Sequence, residues 1–253
     1  MTNKEIKPCC DKSCKNCPYV DFGGYKWLKQ ERWGQVHPDK PYVWYDYESV
    51  IKHNDNHLSL LSSYKPKFFE DIKRTSQMSV GLISSIDEFS YGKYDLEVKM
   101  PDLAYSWPAF WMWSWSDWPP EIDIFEGYSD SKGRYDLSWW KKLFENKFYK
   151  VESNVHIKNS DKKWNLGGIP HFFSYSDPRK NFNKFSLIWR PDLIEFYYND
   201  TLVRRIDDKE VLKLIEGHKM NVIINNSCHS YHRSHLKNTG TMEIKNFKYV
   251  KLD

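Results

Sequence analysis

Short segments in which apolar and polar residues alternate follow one another along most of the chain, separated by turn residues. Examples are "HLSLLSS" (57–63), "SVGLISS" (79–85), "YGKYDLEVKM" (91–100) and "FSLIWR" (185–190). About a dozen segments of this kind occur at the spacing that is typical of β-sandwiches. Regular alternation of strand and helix patterns is missing, which argues against a parallel α/β fold. The pattern therefore predicts an all-β sandwich.

Two local patterns add a hairpin and a helix to this prediction. In "WRPDLIEFYYNDTLVRRI" (189–206), Asn199 and Asp200 suit the positive backbone dihedrals of a tight hairpin turn. "DDKEVLKLIEGH" (207–218) is the clear helical pattern, with Asp207 or Asp208 as the N-cap and Gly217 as the stop. Residues 158–183 are polar, contain Gly and Pro and have no periodicity, so we expect one long loop there.

Composition narrows the classes of protein that remain. A chain of 253 residues can form one sandwich domain, and we assign residues 20–253 to it. The aromatic content of 17%, with 12 Trp and 17 Tyr, exceeds what core packing needs, so some rings are expected to face a ligand. The net charge of +4 comes from interspersed residues, which argues poorly for a nucleic-acid module. No apolar segment approaches the length of about 20 residues that spans a bilayer.

Residues 1–19 form a separate cysteine-rich tail. Its cysteines, Cys9, Cys10, Cys14 and Cys17, could supply thiolates to zinc, form local disulfides, or stay reduced in an unstructured tail. Adjacent Cys9 and Cys10 fit poorly around one ion, so we expect no metal cofactor there. The start of the chain lacks the apolar core of a secretory leader, although a polysaccharide substrate would favour extracellular action if a leader had been removed.

Three carboxylates lie close together in "EIDIFE" (121–126). In a regular strand Glu121 and Asp123 share one face and Glu126 takes the other, because side chains alternate. A β-bulge around Ile124 and Phe125 would return Glu126 to the face of the other two carboxylates. Crowded carboxyls raise one another's pKa, which allows the ionised and protonated pair that glycoside hydrolysis requires. The positions predict Glu121 as nucleophile, Glu126 as acid and then base, and Asp123 as the residue that orients the nucleophile.

Other interpretations of this stretch stay open from the residues alone. The three acids could form a solvated outer face or bind calcium through oxygen ligands. A sugar site is favoured by the upstream segment "SWPAFWMWSWSDW" (106–118), because indole rings stack on the apolar faces of pyranose rings. Four of its rings have the same strand parity: Trp107, Trp111, Trp113 and Trp115. Core packing is the alternative for these rings.

Together, these segments resemble glycoside hydrolase family 16, which includes laminarinases, agarases, porphyranases and carrageenases. "EIDIFE" matches the family's E-x-D-x-x-E signature in its bulged form, and "YGKYDLEVKMPDLAYSWPAFWMW" (91–113) resembles the strand pair that leads to the site. "ESNVHI" (152–157) resembles the strand that carries an Asn and a His. The similarity covers the chain from about residue 20 to the end.

This resemblance implies a jelly-roll sandwich of the concanavalin-like lectin and glucanase type, with an open concave cleft for a polysaccharide. It implies retention of anomeric configuration, for which the two catalytic carboxyls lie roughly 5–5.5 Å apart. Glu121 matches the nucleophile, Asp123 the assisting acid and Glu126 the acid/base. His156 matches a histidine that approaches the acid/base residue, with a core histidine as the alternative. The expected substrate contacts are Trp107, Trp111, Trp115, Trp118, Asn154 and His156.

Two features depart from the family pattern. Many members bind calcium through an Asp in the final strand, where "MEIKNFKYVKL" offers Lys245 or Lys248, so we expect no calcium and no other cofactor. The segment "CHSYHRSH" (228–235) has a Cys and three His residues whose spacing could suit a metal, but a polar loop at the cleft rim is favoured.

The sequence thus predicts an endo-acting retaining hydrolase of a β-linked polysaccharide, most readily a β-1,3-glucan. A galactan such as agar, porphyran or carrageenan is the alternative substrate, since Arg134, Arg179, Arg204 and Arg205 would suit sulfate groups. A non-catalytic polysaccharide-binding module and transglycosylation also stay open. The expected partner is a polysaccharide or oligosaccharide, with no nucleic acid and no membrane, and the protein is expected to be a monomer.

Overall fold

Strands with alternating burial form two sheets that pack face to face. Along residues 92–99, for example, Tyr94, Leu96 and Val98 are fully buried, and the side chains between them are half-buried. The structure is a computed structural model that describes residues 18–37, 40–103, 105–114, 118–128, 150–159, 162–165, 169–172, 177–228 and 236–252. The four cysteines of the tail, Trp115, Arg134 and the three histidines of the 228–235 segment lie outside the described residues.

One sheet, here called the front sheet, carries the carboxylate segment. Its strands are β1 (Tyr19–Phe22), β2 (Tyr25–Leu28), β7 (Leu82–Phe89), β9 (Ser106–Trp113), β10 (Glu121–Tyr128), β11 (Lys150–Asn159), β12 (Lys162–Asn165), β13 (Ile169–Phe172) and β17 (Met220–Cys228). Within the described chain their order is β1-β2-β7-β17-β9-β10-β11-β12, with β13 also paired to β11. The carboxylate strand β10 therefore lies between β9, which carries the Trp residues, and β11, which carries Asn154 and His156.

The second sheet, here called the back sheet, covers the core side of the front sheet. Its strands are β3 (Val43–Tyr45), β4 (Val50–Asn54), β5 (His57–Phe69), β6 (Arg74–Val80), β8 (Gly92–Lys99), β14 (Asn183–Arg190), β15 (Leu193–Tyr198), β16 (Thr201–Ile206) and β18 (Gly240–Lys251). The described strands follow the order β16-β15-β14-β8-β18-β5-β6-β3, and β4 pairs with β5. The two sheets confirm the predicted all-β jelly-roll sandwich.

The predicted hairpin and helix are both present. Asn199 and Asp200 join β15 to β16 with φ of 48° and 63°, as the turn residues predict. The α-helix α1 spans Lys209–Lys213, and its N-cap Asp208 accepts hydrogen bonds from the backbone N–H groups of Glu210 and Val211. Gly217 follows with φ of 73°. Within the described residues, no helix has the length and apolarity required to cross a bilayer.

Aromatic rings join the two sheets at the centre of the core. The Phe247 ring, from β18, lies with its centroid 5.1 to 6.4 Å from five rings of the front-sheet side. These rings belong to Phe22, Tyr25, Trp27, Phe89 and Phe110. Burial of a large apolar side chain contributes about 1.5–3 kcal/mol to stability, so this cluster is a main determinant of the sandwich.

Two predicted boundaries are wrong. Residues 158–183 are not one loop, because β11 extends through Asn159 and both β12 and β13 pair with β11. Pairing of this kind uses backbone groups, so it needs no apolar periodicity. The segment 79–85 is not one strand either, since the chain passes from β6 in the back sheet to β7 in the front sheet at Gly81. A Cβ at Gly81 would lie 2.5 Å from the carbonyl oxygen of Ser49, so only glycine fits this crossing.

Candidate active site

A β-bulge in β10 brings the three carboxylates to one face. Asp123 pairs with Asn154 and Glu126 with Glu152 of β11, so Ile124 and Phe125 together lie opposite Ser153. The register towards β9 shifts at the same place. Both bulge residues and Ile122 are fully buried in the main core. The predicted bulge is confirmed, and it resets the alternation that would otherwise direct Glu126 into the core.

Glu121 is held by side chains on both sides. The Trp118 Nε1–H donates a hydrogen bond of 2.7 Å to Glu121 Oε2. His156, which lies directly opposite Glu121 on β11, has its Nε2 atom 3.5 Å from Glu121 Oε1 and 3.2 Å from Asp123 Oδ2. Asn154 Nδ2 lies 3.2 Å from the same His156 nitrogen. Trp118, Asn154 and His156 were all predicted at the site, and the structure brings them together here.

The histidine occupies a different place from the one that the family resemblance implied. That resemblance placed His156 next to the acid/base residue Glu126. In the structure, His156 contacts Glu121 and Asp123, whereas Glu126 lies opposite Glu152, further along β11. His156 is thus positioned to act on Glu121 and Asp123.

Burial and repulsion hold a proton near Glu121. Burial, followed by the negative charge of Asp123, raises the pKa of Glu121 from 4.5 to about 8. His156 and the hydrogen bond from Trp118 act in the opposite direction and lower this pKa. The carboxyl that would act as nucleophile therefore depends on its neighbours for its charge.

Asp123 is the most deeply buried of the three carboxyls, with 1% of its surface exposed. Burial and the charge of Glu126 raise its pKa well above the ordinary value, while Lys40 and Arg204 lower it. Burial is the main cause of the raised pKa of both Glu121 and Asp123, and the repulsion that the crowding of the residues predicted adds to it.

The predicted parity of the Trp residues in β9 is also confirmed for those that the structure describes. Phe110 and Met112 belong to the main core, so Trp107, Trp111 and Trp113 lie on the face of the carboxylates. Asn225 of β17 fixes this surface, because Trp111 Nε1 donates to Asn225 Oδ1 at 2.8 Å and Asn225 Nδ2 donates to the Trp107 carbonyl at 3.1 Å. Asn225 has no distinguishing local pattern, so the sequence did not reveal it.

Trp113 belongs to the wall of the site. It is 6% exposed, its ring lies 5.3 Å from that of Trp33, and the Arg32 guanidinium lies 4.8 Å from its centroid. Trp111 stacks on Trp113 at 6.0 Å and stays partly exposed. The half-buried Trp107 and Trp111 are therefore the described rings of β9 that can contact a sugar.

Two charged residues near the site were missed because they lie far from β10 in the sequence. Lys40 Nζ lies 3.2 Å from the centroid of the Trp107 ring, so it places a cation beside the half-buried Trp residues of β9. Glu31 is fully buried, and burial raises its pKa to about 8 with a smaller contribution from Glu121. Arg32 lowers the pKa of Glu31.

The arginines that were considered for sulfate binding have other partners. Arg179 pairs with Asp177 at 2.8 Å and Asp102 at 3.0 Å. Arg205 pairs with Glu195 and Asp207, each at 3.1 Å, in the back-sheet hairpin. Arg204 donates to the Ser153 carbonyl beneath the bulge at 2.7 Å. These three side chains therefore give no support to a sulfated substrate.

The described residues offer one group of metal-binding side chains. Donor atoms of Glu121, Asp123 and His156 all lie within 4.8 Å of one another. They are also the proposed nucleophile, its neighbour and their common partner. Cys228, at the start of the Cys/His segment, is buried, and its Sγ lies 2.9 Å from Ser62 Oγ. Burial raises the pKa of this thiol to about 11, which disfavours the thiolate that a metal requires.

Comparison with known proteins shows the family of this chain. The family model for glycosyl hydrolases family 16 matches residues 39–244. The chain belongs to this family. Family 16 members with a matching fold include the laminarinase catalytic domain of Thermotoga maritima MSB8, which has a TM-score of 0.65 and 20% identity and covers 84% of either chain.

Two curated relatives match about half of the chain. The endo-1,3-1,4-beta-glycanase EglC of Rhizobium meliloti (strain 1021) is 23% identical over 130 residues, which are 50% of this chain and 24% of the relative. A beta-1,3-glucan-binding protein of Penaeus monodon is 29% identical over 133 residues, which are 47% of this chain and 32% of the relative. The chain thus matches about a quarter to a third of the length of these relatives.

Proposed function

We propose that this family 16 domain is an endo-acting retaining hydrolase of a β-linked glucan, with β-1,3-glucan as the first substrate. The observation that carries the proposal is the bulge that brings Glu121, Asp123 and Glu126 to one face of the front sheet. The names of the similar laminarinase domain and of the glycanase EglC support a β-glucan.

The geometry supports a double displacement. Glu121 attacks the anomeric carbon while Glu126 gives its proton to the departing glycosidic oxygen, and a glycosyl ester forms on Glu121. Water then attacks the same carbon and transfers a proton to Glu126, and the carboxylate of Glu121 leaves. Trp118 orients Glu121 through its N–H group, and His156 favours the ionised form of Glu121.

The exposed surface of β9 supplies the binding energy for the sugar. Trp107 and Trp111 offer ring faces next to the carboxylates, and Asn225 holds both residues in place. Contact of a pyranose with an indole combines a large apolar area with little loss of side-chain entropy. A row of such contacts along an open face suits binding within a long chain and hence endo cleavage.

A sulfated galactan is the second candidate, and one observation favours it. Lys40 Nζ lies on the Trp107 ring, so a sugar bound on this platform would meet a cation. A sulfate ester would accept a charge-assisted hydrogen bond from Lys40, whereas a neutral glucan offers hydroxyl groups alone.

A product assay on laminarin, mixed-linkage glucan, agarose, porphyran and carrageenan tests the proposal, with Glu121→Gln as the matched blank. We expect cleavage of laminarin, release of the β-anomer in NMR spectra, and loss of turnover in the variant with retained oligosaccharide binding. Cleavage of a sulfated polymer alone would select the second candidate. Activity of Glu121→Gln within about tenfold of the wild type would contradict the covalent role. Binding without any cleavage would indicate a polysaccharide-binding module.

A further inference from the structure

The bulge in β10 interrupts the regular backbone hydrogen bonding between β10 and β11. Two residues of β10, Ile124 and Phe125, lie opposite the single residue Ser153 of β11. A bulge of this kind leaves its extra residue unpaired, and a buried carbonyl without a partner is costly. The strand would avoid this cost in a regular register, so the bulge needs support from outside the ladder.

That support comes from the back sheet. The Tyr198 hydroxyl of β15 donates a hydrogen bond of 3.1 Å to the Ile124 carbonyl. Arg204 of β16 donates from Nη1 to the Ser153 carbonyl at 2.7 Å. The two carbonyls lie on the two sides of the bulge, and their donors come from neighbouring strands of the opposite sheet.

Packing joins the same parts of the molecule. The Phe125 ring lies 4.4 Å from that of Phe185 in β14, and Phe185 lies 4.8 Å from Tyr198. Ile124 thus contacts the back sheet through its carbonyl, and Phe125 contacts it through its ring. The contacts form a closed set around the segment between Asp123 and Glu126.

We propose that Tyr198 and Arg204 are positioning residues that hold the β10 bulge and thereby set the separation of the catalytic carboxyls. The inference rests on the proposed function for its effect on catalysis. The physical reason is that a shift of one residue in a strand moves each side chain to the other face. These two hydrogen bonds are here called the clamp. Loss of the clamp would thus remove Glu126 from the face of Glu121 in part of the population, while the Trp residues of β9 would stay in place.

Tyr198→Phe tests the clamp, because it removes the hydroxyl and keeps the ring. We expect kcat to fall roughly tenfold with KM within about twofold of the wild type. Tyr94→Phe is the matched control, since Tyr94, like Tyr198, is a buried core tyrosine whose hydroxyl donates to a backbone carbonyl, in this case that of Ser90, away from the site. We expect Tyr94→Phe to lower the melting temperature without changing kcat. A Tyr198→Phe enzyme with kcat within twofold of the wild type would overturn the proposal.

Arg204 provides a second variant if Tyr198→Phe does not fold. We expect Arg204→Met to lower kcat roughly tenfold and Arg204→Lys to restore part of the loss, since lysine keeps a donor and a charge. Equal kcat in Arg204→Met and the wild type would contradict the clamp.

Hydrogen exchange separates failure of the clamp from failure of the proposed function. If the wild type cleaves no polymer, the proposed function fails, and amide exchange over residues 121–128 still tests the clamp. We expect faster exchange there in Tyr198→Phe than in the wild type or Tyr94→Phe. Unchanged exchange in this segment would overturn the clamp whether or not the enzyme is active.

Discussion

At the residue scale, the charge of Glu121 decides when the site can react. Burial is the main reason why its pKa is about 8, and among its neighbours Asp123 raises this pKa while His156 lowers it. As the proposed nucleophile, Glu121 must be ionised in the free enzyme, so its pKa sets the acidic limb of the pH profile of kcat/KM. Asp123 and His156 can be substituted separately, so the effect of each on the pKa of Glu121 can be tested.

Asp123→Asn and His156→Gln should move the acidic limb in opposite directions. Asp123 raises the pKa of Glu121, so its replacement by Asn favours the Glu121 carboxylate and shifts the limb to lower pH. His156 lowers the pKa of Glu121, so its loss shifts the limb to higher pH. The measurement is kcat/KM against pH for both variants and the wild type. A shift of both limbs in the same direction would rule out this electrostatic account.

At the element scale, β9 presents the proposed sugar-binding rings on one face and core residues on the other. The alternation of Trp111 and Trp113 with Phe110 and Met112 produces both surfaces from one strand. Its partner β17 adds Asn225, which accepts the Trp111 N–H. The N–H of Trp111 is thus engaged within the protein, and its ring face is what remains for a substrate.

Trp111→Ala should weaken oligosaccharide binding by roughly 1–3 kcal/mol, because it removes the stacked area. Trp111→Phe is the matched control, since it keeps an aromatic ring and loses the bond to Asn225 together with part of the ring area. We expect Phe to retain most of the affinity. Titration calorimetry measures the oligosaccharide affinity of both variants, each combined with Glu121→Gln so that the ligand is not cleaved. Unchanged affinity in Trp111→Ala would place this ring off the sugar path.

At the scale of the whole molecule, a buried acid makes stability depend on pH. Glu31 lies fully buried beside the site, with its pKa raised from 4.5 to about 8. Between these values the native state holds more protons than the unfolded state, so the free energy of unfolding falls as pH rises. The stabilisation is complete below pH 4.5 and is lost as pH passes through about 8.

Glu31→Gln should therefore flatten the pH dependence of unfolding. Relative to the wild type, we expect the variant to gain stability on the order of a few kcal/mol between pH 5 and pH 9. Glu243→Gln is a control of opposite sign, because Lys99 lowers the pKa of Glu243 and stabilises its carboxylate. Urea unfolding at several pH values gives both comparisons. A Glu31→Gln curve parallel to that of the wild type would show that Glu31 does not titrate in this range.

The sequence by itself determined the features that depend on local period and turn chemistry. Alternation predicted the strands, Asn199 and Asp200 predicted the hairpin turn, and the interrupted parity of "EIDIFE" predicted the bulge. Each of these follows from residues adjacent in the chain, because side chains alternate strictly along a strand and few residues accept positive φ.

Only the tertiary structure decided which distant side chains complete the site. Asn225, Tyr198, Arg204 and Lys40 reach it through strand order and sheet packing, over separations such as the 114 residues between Trp111 and Asn225. The edge strands β12 and β13 likewise form through backbone pairing with β11. The physical reason is that a contact between remote residues depends on the order of strands in a sheet and on how the two sheets align, and the local alternation of residues carries no record of either.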